Sequence, residues 1–79
     1  MNRETFRAAK LAAIVRYKTQ AQQDLNKSIT KRQHNNAVRR FNRSVKKERV
    51  YQGAEWTAEM EREYLLYKDC DDISSIPGS

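Results

Sequence analysis

Residues 37–51 read AVRRFNRSVKKERVY, and the spacing of this stretch decides the fold. Projected on a helix, Val38, Phe41 and Val45 gather within about 60° of arc, while Arg39, Arg40, Arg43, Lys46 and Lys47 occupy about 120° on the opposite side. A strand cannot separate the two sets in this way; a helix with a packing stripe and a cationic face does. Lys46, Lys47 and Arg49 fall in its closing turns, where the helix dipole favours cations. Gly53 follows at the position of a left-handed C-cap. Upstream, residues 28–36 read as a polar connection. His34, Asn35 and Asn36 are its most turn-like part, and Asn35 or Asn36 is the expected cap of a helix over about 36–51.

The same composition extends on both sides. Glycine is absent before Gly53, proline is absent before Pro77, and Ala, Gln, Glu, Lys and Arg dominate, which favours helix throughout. A first helix is predicted over about 2–26, with Asn2 as N-cap and Glu4 in the first turn. Phe6, Ala9, Ala13 and Tyr17 share one face, and Leu11, Ile14, Ala21 and Leu25 run beside it. A third helix is predicted over about 55–68, where Trp56, Met60, Tyr64 and Tyr67 recur at helical spacing with Leu66 alongside; Leu65 points away, as a partner contact would. The acid-, serine- and glycine-containing residues 69–79 read as a flexible tail. The expected fold is therefore all-α: one small three-helix domain over 1–68, with a long first helix and a flexible acidic C-terminal tail over 69–79.

Seventy-nine residues bury only a thin core. Its candidates are Phe6, Leu11, Ile14, Val15, Leu25, Ile29, Val38, Phe41, Val45, Trp56, Met60, Leu65 and Leu66. Cys70 is the sole cysteine, so neither a disulfide within the chain nor a Cys/His zinc site is available to reinforce it. The wide apolar arc of the first helix points to homodimerisation through that helix.

Charge narrows the function. The chain carries a net +6, unevenly placed: +3 over residues 1–26, +8 over 27–49 and −5 over 50–79. A solvated helix face usually mixes signs, whereas nine basic residues here meet Glu48 alone between Lys27 and Arg49. Such a segment suits a polyanion. The expected function is that of a small basic, non-enzymatic nucleic-acid-binding protein, acting on DNA or structured RNA through Arg39, Arg40, Arg43, Lys46 and Lys47. Lys27, Lys31, Arg32 and Arg49 extend the patch, and Asn42 lies beside it as an amide able to read bases. The alternative is a small adaptor or inhibitor that docks its basic helix on an acidic surface of a larger protein or nucleoprotein complex. An anionic membrane surface is disfavoured because Val38, Phe41 and Val45 form too narrow a stripe. Neither a membrane-spanning run nor a secretory signal is legible, so the expected location is cytoplasmic.

Chemistry that would make an enzyme is thin. His34 has no carboxylate nearby in sequence to orient it. Glu59 and Glu63 read as solvated helix glutamates, and Asp69, Asp71 and Asp72 lack calcium-loop spacing. Cys70 stands among acids that disfavour a thiolate. No cofactor or metal is expected. Among the aromatics, Trp56 and Tyr67 read as core, while Tyr51, next to the basic helix, is the one open to stacking on a base. The acidic end reads either as an internal competitor for the basic helix or as a second docking surface.

Two likenesses accompany this reading. Trp56, Thr57, Ala58 and Glu59, with Tyr64, Leu65 and Leu66, resemble the opening helix of Myb/SANT-type domains over about a dozen residues. The middle segment is similar in composition to arginine-rich RNA-binding peptides.

Overall fold

A computed structural model describes residues 1–53, 55–70 and 72–78. It contains three helices, α1 (Arg3–Lys27), α2 (Lys31–Gln52) and α3 (Ala58–Tyr67), and a 3₁₀ turn at Ile73–Ser75. The all-α class and the long first helix are as expected. Asn2 caps α1, its Oδ1 accepting from the Thr5 amide at 2.7 Å.

The second helix starts earlier than expected. Residues 31–36, read as part of the connection, are its first turns, and Thr30 rather than Asn35 or Asn36 is the cap. Thr30 Oγ1 accepts from the Gln33 amide at 3.1 Å, and Gln33 Oε1 accepts from the amides of Ile29 and Thr30. This reciprocal box satisfies donors that would otherwise be orphaned at the helix start. Thr30→Ala should therefore cost about 1 kcal/mol, read as a shift in urea midpoint by circular dichroism. An Asn36→Ala substitution that cost more would restore the later cap.

The far end also differs from expectation. Gly53 has φ −64° and ψ 159°, so it leaves the helix in extended geometry instead of the left-handed region. Its amide still donates to the carbonyls of Arg49 and Val50.

A three-residue connection makes α1 and α2 an antiparallel hairpin. Polar partners run in opposite order along the two helices: Asp24 with Arg40, Lys18 with Glu48, and Arg7 with the Tyr51 carbonyl. Small buried residues (Ala13 and Ala21 on α1, Ala37 and Ser44 on α2) let the backbones approach. The buried line of α2 is Ala37, Ser44 and Tyr51, spaced seven apart, as in a long antiparallel helix pair. Val38, Phe41 and Val45, expected as the packing stripe, flank it and are half-buried.

The core lies at one end of the hairpin. Phe6 is fully buried there, ringed by Tyr51, Trp56, Tyr64 and Tyr67 at centroid distances of 5.6–6.5 Å, mostly edge-on or tilted, with Tyr67 stacked. Met60 completes it. Thr57 caps α3, so this helix begins just after the Trp-Thr pair. Of the expected core, Phe6, Ile14 and Met60 are buried. Leu11, Leu25 and Trp56 are half-buried, but Val15, Ile29, Leu65 and Leu66 are exposed, Ile29 at the hairpin tip to 91%.

Part of the C-terminal segment packs against α1. Ile76 is 3% exposed and belongs to the core cluster, and the Pro77 carbonyl accepts from Lys10 Nζ at 2.6 Å. Gly78 sits so close to the Ala13 carbonyl that any side chain would collide with it. Asp71 lies outside the described residues. α2, α3 and this segment all pack on α1, burying Phe6, Ala13, Ile14 and Ala21 of its apolar arc and leaving Val15 exposed.

Candidate nucleic-acid interface

The hairpin determines which cations of α2 face outward. Its buried line fixes the opposite side of the helix, and Arg39, Asn42, Arg43, Lys46 and Arg49 all lie there, exposed. Arg39, Asn42, Arg43 and Lys46 line one shallow depression. Arg32 continues the line toward the tip, seven residues before Arg39. From Arg32 to Lys46 the row spans 14 residues, or about 21 Å along the axis.

Two of the five central cations are engaged elsewhere. Arg40 Nη1 lies 3.3 Å from Asp24 Oδ2 on α1, and Lys47 Nζ lies 3.6 Å from Glu63 Oε1 on α3. Both sit on the flank of α2 and are half-buried. They bind the helix to its neighbours, so the outward set is Arg39, Arg43 and Lys46, with Arg32 and Arg49 extending it. Among the described residues, none of these five has a carboxylate within ion-pair distance.

Glu48 explains why the face is so uniform. It is the only acid between Lys27 and Arg49, and it is turned inward to Lys18 of α1. Two acids of the C-terminal third are likewise paired away from the face. Glu61 pairs with Arg3, and Glu63 pairs with Lys10 and Lys47. Only Lys47, of the predicted patch, is reached by a described acid from that end.

At the tip, Lys27, Lys31 and Arg32 are exposed, and Lys27 shares a shallow concavity with Asp24, Ser28, Gln33, Asn36 and Arg40. The Gln33 carbonyl is occupied by the capping box and is not free to read a base. His34 is exposed in the first turn of α2.

Tyr51, the aromatic left open for stacking, is 2% exposed and is a core residue. Its hydroxyl is buried beside Glu63 without a well-formed hydrogen bond. Burial pushes this phenol well above its ordinary range, and the Glu63 charge adds to the effect.

The residues that sequence reasoning missed are Lys10 and Glu63. Lys10, 1% exposed, is enclosed by the core with its Nζ 2.8 Å from Glu63 Oε2. Glu63, read as solvated, is mostly buried. Burial pushes its carboxyl up, but the hydrogen bond and charge of Lys10, aided by Lys47 and Tyr51, outweigh this and hold it below the usual carboxylate range. The one available signal was that Lys10 falls on the same face as Phe6 and Ala13.

Among the described residues, no group of three or more His, Cys, Asp or Glu lies close enough to share a metal ion, and no helix is long and apolar enough to cross a membrane. Compared with protein-family models, curated proteins and solved structures, the chain matches none.

Proposed function

We propose that this protein binds nucleic acid, duplex DNA foremost, by laying the outer face of α2 against the phosphate backbone. The observation that carries this reading is the turning of Glu48 to Lys18, which leaves Arg39, Arg43 and Lys46 on a face with no counter-charge among the described residues. A chain that held such a face only for solubility would gain from mixed signs there. The row from Arg32 to Lys46 runs beside about six nucleotide steps of one strand, at about 3.4 Å each. Neutralising those phosphates releases condensed counterions, which supplies affinity without sequence preference. Asn42, set among the arginines, is the side chain best placed to add base discrimination. A-form RNA offers less to Asn42, because its major groove is too deep and narrow for side chains to read.

The test is fluorescence anisotropy of labelled duplex DNA, single-stranded DNA and hairpin RNA over about 50–200 mM salt. Duplex binding at micromolar or tighter affinity is expected, with a log–log salt slope of about −3 to −5, corresponding to three to six phosphate contacts. Absence of binding to all three at the lowest salt would overturn the proposal and favour an acidic protein surface as the target of α2.

A further inference from the structure

The outward face of α3 has a pattern that the core does not explain. Leu65 and Leu66 are 52% and 75% exposed at the middle of this face. Leu66 was expected to join the core and does not. Arg62 and Asp69 are also exposed, and Lys68, between α3 and Asp69, keeps helical backbone angles. In helical projection Arg62 and Asp69 fall on one line, with Leu65 to one side and Leu66 to the other. Neither Arg62 nor Asp69 forms an ion pair among the described residues.

This arrangement is complementary to itself. If two such helices run antiparallel about a two-fold axis passing between Leu65 and Leu66, the four leucines meet at the axis. Arg62 lies as far before that axis as Asp69 lies beyond it, so each Arg62 meets Asp69 of the other copy, once at either end of the leucine cluster. A parallel pairing would instead set Arg62 against Arg62, a like-charge contact that is costly at an interface. An isologous pair must satisfy itself in this way, since one patch serves as both surfaces.

We infer that the protein self-associates as a two-fold dimer through the outer face of α3, with Leu65 and Leu66 as the apolar centre and reciprocal Arg62–Asp69 ion pairs at its ends. This surface is separate from the α2 face and does not depend on the nucleic-acid reading. The opposite end of the hairpin carries Lys27, Lys31 and Arg32, so the pairing leaves both cationic tips pointing outward from a molecule 42 Å long. Three turns of helix make an interface smaller than the standard size, so the dimer is weak, with a dissociation constant on the order of 10⁻⁵ to 10⁻⁴ M.

Sedimentation velocity from about 10 to 500 µM, concentrations that bracket this constant, tests it. Wild-type protein is expected to shift from monomer to dimer and no further. Arg62→Asp and Asp69→Arg should each weaken association at least tenfold, because each places like charges opposite one another. Mixing the two single variants should produce a heterodimer, and combining both changes in one chain should restore the homodimer. Both positions are exposed, so neither change threatens the fold. A wild-type chain that stays monomeric throughout would overturn the inference. So would a Leu66→Glu variant that still dimerises, a mixture of single variants that stays monomeric, or open-ended, salt-sensitive oligomers joining α2 to the acidic end of the next copy.

Discussion

Reversing Arg39, Arg43 and Lys46 to glutamate is expected to lower affinity for duplex DNA by about three orders of magnitude, without loss of folding. Each unit of charge near a phosphate is worth about 1 kcal/mol in water at contact distance. The triple variant changes the chain by six such units. Screening over a Debye length of about 8 Å removes part of that, leaving about 4 kcal/mol, or a thousandfold. The salt slope should become shallower by about 3, one for each lost phosphate contact. Among the described residues none of the three side chains has an ion-pair partner, so thermal stability should hold or rise as repulsion along α2 falls.

The informative control is Arg40→Gln with Lys47→Gln. It removes two formal charges from the same helix, but those charges already answer Asp24 and Glu63. Binding should weaken less than tenfold, while stability falls through the loss of contacts to α1 and α3. If the control weakened binding as much as the triple variant, the outward row would not be the interface. Net charge alone would then account for attraction to DNA.

How the sequence foreshadowed this follows from which forces are local. Helix periodicity is local, and residues 37–51 alone specify a helix with a cationic side. The capping box at Thr30 was legible too, as Thr-x-x-Gln, but the amide-rich run at 34–36 drew the reading away from it. Asparagine favours caps and turns only when the backbone has no better arrangement, and here Thr30 and Gln33 supply one. Hydrophobicity misled in a consistent direction. Leu66 and Ile29 looked like core and are exposed, whereas Ala13, Ala21, Ala37 and Ser44 form the hairpin seam. What decides burial at a close helix pair is how little room a side chain takes, and that depends on which neighbour faces it. Tyr51 went to the core for a similar reason: it lies on the line of Ala37 and Ser44, at the end where Phe6 leaves space for a ring.

The candidate site was half legible. That α2 is cationic could be read directly, but which cations are spent inside the chain could not. Arg40 and Lys47 project only about 60–80° from the buried line of α2, within reach of carboxylates on other helices. Separating them from Arg39, Arg43 and Lys46 requires knowing that Asp24 and Glu63 stand opposite, and that is a tertiary fact.

The second large effect concerns that tertiary charge cluster. Glu63→Gln should destabilise the protein by about 3–5 kcal/mol, because it removes the carboxylate that lies 2.8 Å from a buried ammonium. A domain of this size has about that much stability in total, so the variant should be largely unfolded by circular dichroism at 25 °C. Adding Lys10→Met to Glu63→Gln should recover most of the loss, since the buried charge goes and its apolar stem is kept. The wild-type pH profile follows from the same pair. The Glu63 carboxyl is held below its ordinary value in the folded chain, so its stabilisation is present above the unfolded value of about 4.3 and is lost as pH falls through the folded one. Stability should thus fall with acidification below about pH 4.5, and the Lys10→Met/Glu63→Gln chain should fall less steeply. Equal acid sensitivity in the two proteins would place the titrating groups elsewhere, with Glu61 beside Arg3 and Asp72 beside Ser74 next in line, as both are also held low. Recovery of the double variant would separate a charge that must be paired from a position that must be polar. Only the first accounts for a lysine enclosed between Phe6 and Ile14 on the buried side of α1.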